Sequence, residues 1–250
     1  MNLLGRIRFF PVKALEYYRE YALISFLVNI AILVVSVYIL YYTYIVFSEY
    51  AVHGFHDIEE IVSTLHYIVF VGPFFGSIFM RVMGLFALLY LKPVFTQLYK
   101  YKQVYRRIII MLVAALIGSY MFSPVSRYMA LVLLPIMVGS ANKSSLYNGS
   151  LGYSAYIFLW SILFNNIVIG GLLDIAAGIG EYMLLKQFDR DTRTHLLGSL
   201  GKKLIVVRLL YPPLAFIIYY MIYKRIPRVV EKVNKRKRLL EKLPVPPPII

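Results

Sequence analysis

The sequence predicts an all-α polytopic membrane protein, a transmembrane helical bundle of about six membrane segments, with five to seven as the range. Three observations carry this. Of the 250 residues 60% are hydrophobic and only 16% charged, with a mean hydropathy of +0.70, and a soluble domain needs more polar surface than that. The apolar residues fall in runs, several near the ~20 residues that carry a helix across a bilayer. Lipid also leaves an open strand edge without partners, so the runs are read as helices despite their many β-branched residues.

The six segments are residues 21–47, 65–91, 108–122, 128–139, 153–185 and 204–223. Residues 1–20 form a basic amphipathic N-terminal segment, 21–223 the membrane domain, and 224–250 a basic, then proline-rich tail. Segments 108–122 and 128–139 are short and separated by Ser123-Pro124, which suits a tight hairpin, or one crossing and a re-entrant piece. Segment 153–185 is longer than one crossing needs. It must tilt, run beyond the bilayer, or break near Asn165-Asn166 or Gly170-Gly171. In 204–223 the pair Pro212-Pro213 is expected to kink the helix.

Loop charge sets the orientation. Residues 1–20, the loop 92–107 and the tail are basic, whereas the loop 48–64 carries Glu49, Asp57, Glu59 and Glu60 with no Lys or Arg. Six crossings place both termini in the cytoplasm of a multi-pass cell-membrane protein. The loop 186–203 objects, because it would lie outside with Lys186, Arg190, Arg193, Lys202 and Lys203. Two sequons, at Asn142 and Asn148, would also contradict this orientation if glycosylated.

The net charge of +15 sits in loops and tails, so anionic headgroups are its expected partner, not nucleic acid. Arg225, Arg228, Lys232, Lys235, Arg236, Lys237 and Arg238 are read as a lipid-surface cluster, and the tail after Pro227 as an amphipathic helix with Val229, Val230, Val233 and Leu240 toward the membrane. Tyrosines crowding the segment ends read as interfacial anchors. The absence of cysteine excludes disulfides and thiolate sites, and with many tyrosines and basic residues suits a thermophilic source. The first apolar run is too long for a signal-peptide core.

Within 153–185, Asn166, Gly170, Asp174, Gly178 and Glu181 recur at helical spacing on one face. Small residues there admit a neighbouring helix, and a carboxylate at membrane depth costs several kcal/mol unless paired or hydrated. Arg81, the basic residue well inside 65–91, is the expected partner. The face reads first as a structural charge pair and second as an ion or proton path. Gly72, Gly76 and Gly84 form a second small-residue face for helix packing. His53, His56, Asp57 and Glu60 have ligand spacing but are read as a solvated acidic loop, with no metal and no cofactor. Nucleophile elbows, phosphate loops, zinc motifs and dinucleotide fingerprints are missing from the sequence, so no enzyme is expected.

Gly72-Pro73-Phe74 and, later, Gly152-Tyr153-Ser154 open membrane segments in the order found in the Yip/Yif family, which the chain resembles, as does its basic start with Phe9-Phe10-Pro11. Where that family has Asp-Leu-Tyr before Gly-Pro, this chain has Val69-Phe70-Val71, so the acidic feature linked with GTPase binding is absent. The resemblance implies a non-catalytic membrane organiser or adaptor with protein partners, or one that forms a homo-oligomer. The alternative is a membrane subunit of a transport or secretion/DNA-transfer channel with a polar path near Asp174, the one reading under which nucleic acid is a partner.

Overall fold

The computed structural model describes residues 10–53, 72–121, 150–210 and 214–241, and they form an all-helical bundle of membrane-spanning character. In chain order the helices are α1 Val12–His53, α2 Gly72–Leu89, α3 Leu91–Tyr99, α4 Gln103–Met121, α5 Ser150–Thr192, α6 Gly198–Leu210 and α7 Ala215–Glu241. Among the described residues four stretches are long and apolar enough to cross a membrane: Val12–Tyr38, Arg81–Tyr99, Gln103–Met121 and Val168–Thr192. The segment 128–139, both sequons, and His56, Asp57 and Glu60 lie outside the described residues.

Local chemistry sets the helix ends. α2 opens on Gly72-Pro73, where a proline loses nothing because first-turn N–H groups have no intrahelical acceptor. The break at Tyr90 lies one turn before Pro93, whose ring clashes with the carbonyl four residues earlier, that of Leu89. α5 does not break at Asn165-Asn166 or Gly170-Gly171. It is one helix of 43 residues, roughly 65 Å at 1.5 Å per residue, and so runs well beyond a bilayer core of about 30 Å.

Contacts fix the directions. α4 and α5 are antiparallel, since Tyr105 meets Asp191 while Ser119 meets Asp174. α1 and α7 are antiparallel, with Arg19 against Tyr223 and Phe26 against Phe216. The segment 204–223 is not one kinked crossing. α6 runs inward and α7 returns beside it, because Arg225 near the outer end of the pair donates to the Leu196 carbonyl while Arg208 near its tip bonds Tyr219. α6 has 13 residues, about 20 Å, too short to cross. Residues 186–203 therefore lie at the same end of the bundle as Lys102 and Phe10, which touches Tyr101 and Phe188.

One level divides the molecule. With Arg81 on α2 as the charged exception beyond it, the exposed side chains of each helix change there from charged to apolar: Glu20 to Leu27 on α1, Lys92 to Leu89 at the α2–α3 joint, Arg107 to Ile110 on α4. The same change runs from Lys186 to Met183 on α5, Lys203 to Val206 on α6 and Lys224 to Tyr220 on α7. Exposed apolar residues continue beyond, as with Val34, Val82, Ile117 and Leu172, in the belt expected of a lipid-facing surface. The buried core extends to the charged side of the level, with Leu15, Tyr18, Leu98, Tyr105, Phe188, Leu200 and Ile226 at 0% exposure, and continues beyond it through Leu112 and Leu116.

Candidate functional site

Of the polar residues of α5, Glu181 lies at this level. Glu181, fully buried, takes three donors. Its Oε1 accepts from Tyr21 Oη at 3.0 Å and Tyr219 Oη at 2.5 Å, and its Oε2 from Arg208 Nε at 3.2 Å. Arg208 Nη2 donates in turn to Tyr219 Oη at 2.7 Å. Four helices, α1, α5, α6 and α7, are thus tied through one carboxylate. Moving two ions from water into such an interior costs several kcal/mol each, offset here by the pair and its extra hydrogen bonds.

The expected partner was Arg81, and the structure corrects this. Arg81 is exposed beside Ile78, Phe79, Val82 and Leu85 and makes no ion pair among the described residues. The chain reversal after α6 brings Arg208 in instead. Its side chain reaches back toward the charged end, as an interfacial arginine does, but ends on Glu181 and not in headgroups.

Deeper in the bundle, buried Asp174 accepts from Ser119 Oγ of α4 and lies within electrostatic reach of Arg208, as does Tyr120. Asn166 belongs to α5, but its side chain is outside the described set. The surroundings of Gly72 and Gly76 on α2 are outside it too.

Glycines set how closely these helices approach. Gly170 is buried, and a Cβ on Gly178 would meet Ile205 Cα at 3.1 Å and Arg208 Cδ at 3.3 Å. Gly84 faces the Tyr120 ring. Two further contributors were not on the expected stripes: Gly180, 3.2 Å from Leu112 Cα, and Gly201, 2.8 Å from Tyr182 Cα, both measured from an added Cβ. Their signal in the sequence was the i, i+2 pair Gly178-Gly180 and a glycine three residues after Gly198.

At the charged end Asp189 builds the α5–α6 turn. Its carboxylate accepts from the backbone N–H groups of Leu196, Leu197 and Gly198 at 2.6–3.0 Å and from Thr194 Oγ1. A carboxylate placed on the first N–H groups of a helix does the work of an N-cap and opposes the helix dipole. Arg193 and His195 take positive φ, 56° and 54°, to let the chain curl round it. Lys102 bridges to Asp191 at 2.5 Å, and that bond, the largest influence on it, holds the ammonium above its ordinary range.

The basic tail differs from expectation. α7 continues through Pro227 to Glu241, with Val229 buried and Val230 and Val233 half-buried against the protein, not the membrane. Arg225 turns inward to Leu196, whereas Arg228, Lys232, Lys235, Arg236, Lys237 and Arg238 are exposed.

No family model, curated protein or solved structure matches the chain.

Proposed function

We propose that the chain is a non-catalytic membrane organiser, anchored by its spans and presenting one basic face to the cytoplasm, where it engages anionic headgroups and protein partners or further copies of itself. The observation that carries this is the gathering of charge. The α6–α7 hairpin leaves residues 92–107, 186–203 and the tail at one end of the bundle, and loops so rich in Lys and Arg stay on the cytoplasmic side. The buried Glu181–Arg208 pair serves as a brace. Each of its groups is committed to a neighbour, whereas a proton-carrying or catalytic carboxylate has to exchange with solvent or substrate. The organiser role also agrees with what the Yip/Yif resemblance implies.

Thiol labelling tests the arrangement in a chain with no cysteine of its own. Single cysteines at Lys100, Ser199 and Arg236 should resist a membrane-impermeant maleimide added to intact cells and react after permeabilisation. A cysteine at His53, the far end of α1, should react at once. Labelling at Ser199 together with protection at Lys100 would refute the one-faced arrangement.

A further inference from the structure

A cleft of about 460 Å³ opens between α4 and α5 at the charged end. Arg107 and Gln103 line it from α4, and Lys186, Gln187 and Arg190 from α5; no acid is among its lining residues. Arg107 and Arg190 are exposed and make no ion pair or hydrogen bond among the described residues. The Lys186 ammonium rests over the Tyr182 ring at 5.5 Å. Lys102, by contrast, is matched by Asp191. Three cations facing one hollow repel each other unless an anion fills it.

The hollow also has an apolar wall, from Val104 and Met183. One turn further in, the same helix rows carry Met111 and Ile179, 55% and 40% exposed. The cleft thus straddles the level where exposed side chains change from charged to apolar, which is where phosphates of a bilayer lie. A soluble anion has no use for an apolar wall that runs on toward the membrane interior; a lipid has.

We propose that this cleft binds one anionic phospholipid, its phosphate held by Arg107, Lys186 and Arg190 and its acyl chain laid along Met183, Met111 and Ile179. Gln103 donates to a remaining headgroup oxygen, as does the second amide hydrogen of Gln187, whose Nε2 also donates to Asp191 at 3.3 Å. Guanidinium forks suit phosphate oxygens bidentately, and the lysine adds a point charge. The site gives the proposed basic face a specific lipid partner and depends on that reading only for the presence of a bilayer.

The test uses the full chain in neutral detergent, with native mass spectrometry counting adducts of phosphatidylglycerol, phosphatidylcholine and inorganic phosphate added separately. The wild type should retain phosphatidylglycerol at least about tenfold better than phosphatidylcholine, as a few surface-level charges provide. Inorganic phosphate should not displace it. The triple variant Arg107→Gln/Lys186→Gln/Arg190→Gln should lose the retained lipid at unchanged melting temperature. The tail variant Lys232→Gln/Lys235→Gln/Arg236→Gln should keep it. Should the triple variant fail to fold, Lys186→Gln and Arg190→Gln alone should each weaken retention. Undiminished retention in the cleft variants, equal retention of phosphatidylcholine, or displacement by inorganic phosphate would each overturn the assignment. Binding in detergent does not depend on orientation, so this result and the labelling of Ser199 can fail separately.

Discussion

Glu181 is buried with an arginine and two tyrosines on its two oxygens, and such a cluster responds asymmetrically to substitution. Taking away one ion leaves the other without its counter-charge in a dry interior, at a cost of about 3–5 kcal/mol; removing both together can be close to neutral. Arg208→Met should therefore lower stability more than Glu181→Leu/Arg208→Met does. Thermal unfolding of the four proteins of this cycle in one detergent measures the coupling. Additive losses would show that the pair does not act as a brace. Half of this cluster is legible in the sequence, because carboxylates at helical spacing in an apolar run have to face protein. The partner is not. Arg81 lies in the middle of its own apolar stretch, and its exposure follows from which face of α2 meets α4, through Gly84 and Tyr120. Arg208 becomes available only once the chain folds back after it, and two consecutive prolines do not say whether a helix kinks or reverses.

The hairpin of α6 and α7 is the element that departs most from the hydropathy pattern, and glycine makes its seating possible. α6 lies on α5 with Gly201 over Tyr182 and Gly178 over Ile205, backbone nearly against backbone. A Cβ at Gly201 would sit 2.8 Å from Tyr182 Cα, a main-chain atom with no flexible end to give way. Gly201→Ala should thus destabilise by about 1–3 kcal/mol, the usual range for overpacking. Gly171 makes the control. It is in the long helix α5 and nothing lies within 4 Å of its added Cβ, so Gly171→Ala should gain up to about 1 kcal/mol from helix propensity alone. Melting temperatures in detergent give the contrast, and equal effects would mean that α6 does not rest on α5 this closely. Hydropathy windows read 204–223 as one span because α6 and the start of α7 are each apolar and adjoin. Their shortness, 13 residues for α6, becomes evident only where the helix ends. The Asp189 cap was likewise hidden. Its acceptors' donors lie five to nine residues on, across a turn whose two positive-φ residues, Arg193 and His195, carry no glycine signature.

At the scale of the whole molecule, the hairpin removes a conflict between charge and crossing number. With 204–223 as a crossing, Lys186, Arg190, Arg193, Lys202 and Lys203 would oppose the other basic loops; folded back, they join them. Orientation then rests on several independent clusters, and no single one decides it. The tail is the largest, with nine basic and two acidic residues from Lys224 to Lys242, yet it should be dispensable for topology. In a variant with Arg228, Lys232, Lys235, Arg236, Lys237 and Arg238 all changed to Gln, the loops 92–107 and 186–203 keep their charges on the retained side. These six residues are exposed, so their loss should leave the core of the bundle intact. A reporter cysteine at Ser199 should accordingly remain protected from impermeant maleimide in intact cells, in the neutralised chain as in the native one. If 204–223 crossed instead, that cysteine would be labelled in both chains. Labelling in the neutralised chain alone would mean that the tail, and not the hairpin, holds the loop 186–203 at the basic end.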